Sequence, residues 1–558
     1  MNVRTLSIIA SIVAWAPLAA QISTGGMPYS FRAGIGMDGI PTVQAAPFDA
    51  VAVATADAAR QAEGKLPAYA RVQALDAGLE DAGRWVQLAN GDRLWQLRVT
   101  SAGALATELY FGTFHMPDKA VLYVYGNGGD HVLGGFTSFN NRDDGTFATS
   151  LVPGESCILE YYEPAAVAGE GRLRTSGLGH AYRDVAEVTA AGACEVDVNC
   201  SEGNNWHPQR DAVVRISILS QGQSFWCSGS LVNNLQQNCK PYFLTALHCA
   251  EGSSVSDMNQ WKFYFNYERS GCGSGTSPSN RTVLGCTKRG SSNDGGGNSG
   301  SDFLLVEANN PTIPAAYQPY WAGWDATGTG STGGVGIHHP AGDRKKISTY
   351  TGNTVNSTWS GVNGTHWRVS WAATANGHGV TEGGSSGSPL FNAGKRIIGT
   401  LTGGGSCCVA GACGPGTSPS AFDYYGKVSY HWQSNPGSAT MRLKKFLDPQ
   451  STGTLTMDGS YNPCGPAGVG DVDGAVERLA LYPNPASGVA VVVLPENIGR
   501  GGMLEVRDMS GRLLAGHLLP ATGEFRLDTA PLAGGTYLLR VLDGPRLLAT
   551  APLIVVHP

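Results

Sequence analysis

The chain has 558 residues, 42% of them hydrophobic and only 15% charged, with 77 glycines, 12 cysteines and a formal net charge of −6. That length is more than one ordinary domain needs and supplies apolar residues for several cores, while so mild a negative charge excludes the basic face a nucleic-acid-binding protein requires. An even number of cysteines fits an exported protein that uses disulfides, and the glycine content fits a turn-rich, all-β chain.

Taken in order, Met1-Asn2-Val3-Arg4 carries one positive charge and residues 6–20 form a short apolar run, the pattern of a secretory signal peptide with cleavage near Ala20-Gln21. The run falls short of the ~18 to 20 apolar residues of a spanning helix, so no transmembrane segment is expected. Residues 21–190 begin Ala-rich (45–70) and continue with alternating stretches at 94–99 and 120–125, punctuated by Gly126-Asn127-Gly128-Gly129. They read as a separate β-rich domain with a single cysteine, Cys157. A prosegment is the preferred reading, a carbohydrate- or partner-binding module the other.

Cysteines become dense at Cys194 and Cys200, where a new domain (191–463) is expected to begin. Residues 212–218 and 227–232 read as strands. Tyr242-Phe243-Leu244-Thr245-Ala246-Leu247-His248-Cys249 reads as an apolar strand whose end delivers a histidine. A bridge between Cys227 and Cys249 would fix that imidazole as a general base requires. Ser301-Asp302-Phe303-Leu304-Leu305-Val306 puts an aspartate at the start of an apolar strand, where a buried carboxylate needs a donor such as an imidazole N–H. Gly383-Gly384-Ser385-Ser386-Gly387-Ser388-Pro389 is a small-residue turn in which N–H groups near Gly384 and Ser386 can stabilise an oxyanion on a carbonyl attacked by Ser386.

In the order His248, Asp302, Ser386 these stretches match the triad order of the chymotrypsin-like serine proteases. The region from about 193 to 460 resembles one branch, the bacterial lysyl endopeptidases, through Cys194-Glu195-Val196-Asp197-Val198-Asn199-Cys200, Ser230-Leu231-Val232-Asn233-Asn234, Tyr320-Trp321-Ala322-Gly323-Trp324-Asp325, Ile337-His338-His339-Pro340 and Gly379-Val380-Thr381-Glu382. The resemblance implies an all-β, chymotrypsin-like double β-barrel with Ser386 as nucleophile, His248 as general base and then acid, and Asp302 orienting the imidazole. It also implies an acyl-enzyme and disulfides Cys194–Cys408, Cys200–Cys272 and Cys227–Cys249. Protein or peptide substrates and the chain's own prosegment are the partners implied, and no cofactor.

A trypsin-like pocket has a carboxylate six residues before the nucleophile, but Val380 stands there. The resemblance assigns the pocket carboxylate to Asp423, in Phe422-Asp423-Tyr424-Tyr425-Gly426-Lys427-Val428, and a subsite wall to Trp359. Cleavage after basic residues, lysine favoured over arginine, is the specificity implied. Two features depart from the family: Thr402 replaces the histidine that stacks on that tryptophan, and the loop 405–420 is longer, with Cys407 and Cys413 added. No lysine lies between Lys119 and Lys240, so release after lysine near Cys194 is excluded; Arg172, Arg174 and Arg183 are the nearest basic residues. Ser385, where trypsin-like zymogens have an aspartate, removes the N-terminal ion-pair switch and leaves control to the prosegment.

His338-His339, His366 and His378 follow no ligand spacing, so no metal is expected. Beyond the three implied bridges, Cys239 with Cys286 or Cys407 with Cys413 are open pairings. A Gly-rich linker (464–478) leads to Leu481-Tyr482-Pro483-Asn484-Pro485, Met509-Ser510-Gly511-Arg512 and Gly534-Gly535-Thr536-Tyr537, in short alternating strands typical of a small β-sandwich. Residues 479–558 resemble the C-terminal sorting domain of proteins exported by the type IX secretion machinery of Bacteroidetes bacteria, which implies a secreted protein, extracellular or on the outer cell surface. An accessory substrate-binding sandwich is the rival reading. For the whole chain the alternative function is a catalytically silent, protease-like surface binding protein, which retention of all three triad residues weighs against.

Overall fold

The computed structural model describes residues 23, 25–62, 68–183, 191–278, 280–464, 477–494, 502–508, 512–520, 523–543 and 546–557. The expected signal peptide and most of the expected 464–478 linker lie outside them. Two compact units divide the chain, residues 1–464 and 465–558.

At the centre of the first unit is a barrel built from an apolar hairpin. Strands Val213–Ser220 and Gln223–Leu231 pair antiparallel, Val213 opposite Ser230. Pairing runs on one side through Tyr242–Thr245 to Leu304–Ala308 and then Cys286–Ser291. On the other it runs through Lys262–Tyr264 to Thr282–Leu284. Only Gly285 separates Thr282–Leu284 from Cys286–Ser291, so the two ends are one bent strand. The Gly285 N–H donates to the Trp261 carbonyl (2.7 Å) and its own carbonyl accepts from Asn309 (2.9 Å). The sheet therefore closes on itself without a free edge. Ile216, Ile218, Phe243, Phe263, Leu304 and Val306 are among the residues of its core.

The strand Val213–Ser220 is buried at all eight positions, which a barrel with a solvated outer face does not require. The N-terminal region covers that face. Its strand Ala70–Gly78 adds to the barrel sheet with Ala70 opposite Ser224 and Arg71 opposite Gln223, giving a sheet of twelve strands among the described residues. Tyr69 stacks on Trp226 with centroids 4.0 Å apart and shares a 2.7 Å hydrogen bond with Ser217. Behind them Lys262 pairs with Glu108 at 2.7 Å, both side chains buried, and the Tyr110 hydroxyl donates to the same carboxylate at 2.6 Å. A second sheet of the N-terminal region holds the strands Arg93–Thr100 and Val121–Gly126, which pair on either side of Ser156–Glu163.

A nine-stranded sheet follows in the first unit, with Gly334–His338, Pro389–Asn392, Ile397–Gly404, Asp423–Lys427 and His366–Val369 side by side. The second unit packs a five-stranded against a three-stranded sheet around Leu504, Val506, Leu539, Val541 and Leu527, a small β-sandwich. The chain is thus mostly β, with the chymotrypsin-like double-barrel architecture that the resemblance implied.

Three local features lie outside the expectations or correct them. The Ala-rich stretch at 45–70 contains a helix, Ala50–Ala62, as alanine's low entropic cost in a helix favours. The strand after Asp302 begins at Leu304, because Asp302 has φ +55° and cannot continue an extended strand. Cys239 pairs with Cys464 and leaves Cys286 a buried free thiol, since Cys286 faces the barrel core beneath the Met258 carbonyl. Glu108→Gln should lower the stability of the full chain by about 3 kcal/mol, because it strands a buried ammonium. Denaturant unfolding checks this, and an unchanged midpoint would contradict it.

Candidate active site

The apolar strand Tyr242–Thr245, buried throughout, ends in a single helical turn, Leu247–Ala250, that carries His248. A Cys227–Cys249 disulfide ties this turn to the neighbouring strand. The His248 Nδ1 lies 2.6 Å from Asp302 Oδ2, and the His248 backbone N–H donates to Asp302 Oδ1 at 3.0 Å. Since an ionised carboxylate only accepts, Nδ1 carries the proton and Nε2 of the neutral ring is left to accept one. Burial by itself lowers the imidazole pKa, but the contact with Asp302, together with the charges of Glu251 and Asp294, outweighs it and the net shift is upward.

Asp302 is fully buried and its left-handed backbone is held by neighbours rather than by a strand. Its N–H donates to Asp294 Oδ2 at 2.8 Å, and its carbonyl accepts from Leu247 N–H at 3.3 Å. Next to it, the Ser301 hydroxyl bonds His431 Nδ1 at 2.7 Å and the Ser301 N–H donates to Asn435 at 2.9 Å.

Ser386 is brought to the same strand ends. Its carbonyl accepts from Ser228 N–H at 2.8 Å and lies 3.8 Å from Cys249 Sγ, and the Ser228 hydroxyl donates to the Gly384 carbonyl at 2.9 Å. Gly387, with φ +79°, lets the turn press against the strand that carries His248: a Cβ there would stand 2.6 Å from Ser228 O and 2.7 Å from Ala246 N. The N–H groups of Ser385, Gly387 and Ser388 are spent on the carbonyls of Glu382, Leu401 and Ser385. Those of Gly384 and Ser386 meet no acceptor among the described residues. No hydrogen bond joins the Ser386 hydroxyl to the His248 ring among the described residues. The Ser385 hydroxyl is taken up by His338 Nδ1 at 2.8 Å and by Glu382 N–H at 3.2 Å.

Asp423 opens the strand Asp423–Lys427 and is completely buried. Three donors converge on Oδ2: Trp371 Nε1 at 2.6 Å, Thr381 Oγ1 at 2.8 Å and Ser406 Oγ at 2.6 Å. Among the described residues, Oδ1 receives only the Ser406 N–H, at 3.1 Å. Burial raises the Asp423 pKa, and these donors offset part of that rise.

Trp359 is exposed, and its ring lies 5.6 Å from Tyr424 and 6.4 Å from His366. The Thr402 hydroxyl shares a 3.0 Å hydrogen bond with His366 Nε2. Thr402 thus replaces the expected stacking histidine, while an imidazole approaches the tryptophan from the adjoining strand. Burial pushes the His366 pKa down to about 4, so the ring is neutral near pH 7. His338 and His339 are likewise held neutral by burial; His339 bonds the Asp343 carbonyl and His378 that of Gly379.

Cys194 bonds Cys408, Cys200 bonds Cys272, and Cys407 bonds Cys413. The bridges at Cys407 and Cys408 directly follow Ser406 and so anchor two of the donors to Asp423. Asp294, Ser406 and His366 were not singled out as site residues from the sequence. Asp294 and Ser406 lie in Gly- and Ser-rich loops without a recognisable motif, and His366 gave only a histidine without ligand spacing. Chemically, the arrangement offers a proton-accepting ring nitrogen, a hydroxyl on the adjacent turn and two unspent N–H donors, with a second buried carboxylate across the nine-stranded sheet.

Residues 188–426 match the family model described as "Lysyl endopeptidase, C-terminal domain", and residues 480–555 match "Secretion system C-terminal sorting domain". A lysyl endopeptidase of Pseudomonas aeruginosa is 28% identical over 352 residues, which cover 58% of this chain and 72% of the relative. Among solved structures, the protease Anisep of Arthrobacter nicotinovorans is 17% identical, with 39% of this chain and 90% of that one covered at a TM-score of 0.28. For the thermostable serine protease AL20 of an extremophilic microorganism the values are 14%, 39%, 92% and 0.27. At such TM-scores neither structure adds to what the strand pairing shows. The ring protons of His248, followed by NMR, should titrate with a midpoint above 6.5 and at a lower pH in Asp302→Asn. A midpoint unmoved by that change would contradict the contact's effect.

Proposed function

Given that residues 188–426 belong to the lysyl endopeptidase family and that the protein is a serine endopeptidase, secreted or at the cell surface, we propose that it cleaves peptide bonds after basic residues, lysine before arginine, with His248, Asp302 and Ser386 as its triad. The observation that carries this reading is the 2.6 Å contact from His248 to the buried Asp302, on strand ends that also hold the Ser386 turn. His248 Nε2 takes the Ser386 proton as the hydroxyl attacks the scissile carbonyl, and the N–H groups of Gly384 and Ser386 receive the oxyanion. The imidazolium, stabilised by Asp302, then protonates the leaving amine, and water hydrolyses the acyl-enzyme by the reverse transfers.

Asp423 is the carboxylate that reads the substrate side chain, with Trp359 and Thr402 beside it. Its donor pattern supports lysine. Each carboxylate oxygen has about two lone pairs, so three donors leave Oδ2 no room, and only Oδ1 can take another N–H. An ammonium needs one such acceptor, whereas a guanidinium fork gains most from two parallel ones. The silent binding-protein alternative is not favoured, given the family and the intact residue set.

Residues 21–190 are proposed to be a prosegment that assists folding, a role in keeping with its strand addition to the barrel and the buried Glu108–Lys262 pair. Residues 479–558 are proposed to direct export through the type IX machinery and then to be removed or used for attachment.

Ser386→Ala and Asp302→Asn should each reduce turnover of a lysyl peptide by about 10⁴-fold or more without unfolding the protein. Near-normal activity in the serine variant would sink the triad. In a defined peptide mixture read by mass spectrometry, cuts should follow lysine first and arginine second, and Asp423→Asn should lose about 10⁴-fold on lysyl bonds. Cuts only after apolar residues would remove Asp423 from its role. The protease region of residues 194–464 expressed alone should yield little folded enzyme, and efficient folding without residues 21–190 would count against the prosegment role.

A further inference from the structure

Asp302 sits in a backbone conformation that costs an aspartate energy, and an unassigned carboxylate is arranged to hold it there. Asp294 is buried, eight residues earlier in a loop of Gly, Ser and Asn. Its Oδ2 accepts the Asp302 N–H at 2.8 Å. Its Oδ1 accepts the Ser292 hydroxyl at 2.7 Å and the Gly297 N–H at 3.1 Å, and its carbonyl accepts from Ser299 N–H at 3.2 Å. The loop so tied passes close against the base of the His248 side chain. A Cβ at Gly296 would stand 3.0 Å from that of His248, and one at Gly297 would stand 3.1 Å from Trp359 Cδ1 and 3.4 Å from Asp302 Cβ. One carboxylate therefore fixes the backbone of Asp302, the loop against His248 and the flank of the Trp359 wall.

We propose that Asp294 is a positioning residue for the reaction, holding Asp302 in its left-handed turn and the glycine loop against His248 so that proton transfer meets a fixed imidazole. This rests on the triad reading above. Three donors, the Asp302 and Gly297 N–H groups and the Ser292 hydroxyl, satisfy the buried Asp294 carboxylate and hold it in this position. Asp294 also adds to the negative charge felt by His248, which faces Asp302, Glu251 and Asp294.

Asp294→Asn tests it, in the full chain, on a lysyl peptide across pH. An amide can accept at only one of the two ends and opposes a donor to a donor at the other. Turnover should fall between about tenfold and a hundredfold with KM little changed, since misplacement by a fraction of an ångström or more acts on the chemical step. The acid limb of kcat/KM should move to lower pH, because loss of a negative charge near His248 makes the imidazole easier to deprotonate. Ser292→Ala keeps the charge and removes one holder, so it should lose turnover with the limb unmoved, and it serves if the asparagine variant does not fold. Loss in Asp294→Asn without a limb shift, a shift without loss, or wild-type turnover in Ser292→Ala overturns the inference. Wild-type turnover in Asp302→Asn, assayed in parallel, overturns the triad and this inference with it.

Discussion

The arrangement at His248 depends on one buried charge, the carboxylate of Asp302. Out of water it needs donors on every side, and the backbone and ring of His248 supply two of them, at 3.0 and 2.6 Å. The same need that keeps Asp302 in place therefore orients the imidazole, fixes which nitrogen carries the proton and raises the ring's pKa. Strand pairing matters to this site because it sets Tyr242–Thr245 directly beside Leu304–Ala308, the one leading into His248 and the other following Asp302.

A second buried carboxylate, Asp423, is treated differently by its surroundings. Asp302 faces an ionisable ring, whereas Asp423 is met by an indole, two hydroxyls and one amide, none of which can carry a compensating charge. Burial raises its pKa, and the site is left short of a cation. On the proposed reading, that contrast separates a carboxylate serving a proton relay from one that awaits a charged side chain. The disulfides at Cys407 and Cys408 hold the Ser406 donors, so the specificity reading depends on covalent anchoring of a loop whose length departs from the family.

Much of this was legible in the sequence where chemistry and local pattern coincide. The apolar run ending in His248-Cys249, Asp302 before Phe303-Leu304-Leu305, and the small-residue turn around Ser386 each carry their own signal, and the contact of His248 with Asp302 follows from the burial need of a carboxylate. What was not legible depends on contacts between segments far apart or on backbone conformation. The left-handed Asp302 is held by a side chain eight residues away in a loop with no periodicity. Cys239 meets Cys464 across 225 residues, a pairing no spacing rule selects. His366 meets Thr402 through the register that pairs His366–Val369 with Asp423–Lys427 and that strand with Ile397–Gly404. The Val213–Ser220 strand, buried on both faces, shows why a run of apolar and polar residues together looked like an ordinary barrel strand: its second face is covered by the N-terminal region, which no motif announces.

The central claim, that a hydroxyl on one turn is made reactive by an imidazole that a buried carboxylate orients, is tested most directly by covalent labelling. A lysyl phosphonate ester, incubated with the full chain and located by peptide mass spectrometry, should give one adduct, on Ser386, and none at a comparable rate in His248→Ala. An adduct on another hydroxyl, or one on Ser386 formed as fast without the imidazole, would contradict the account.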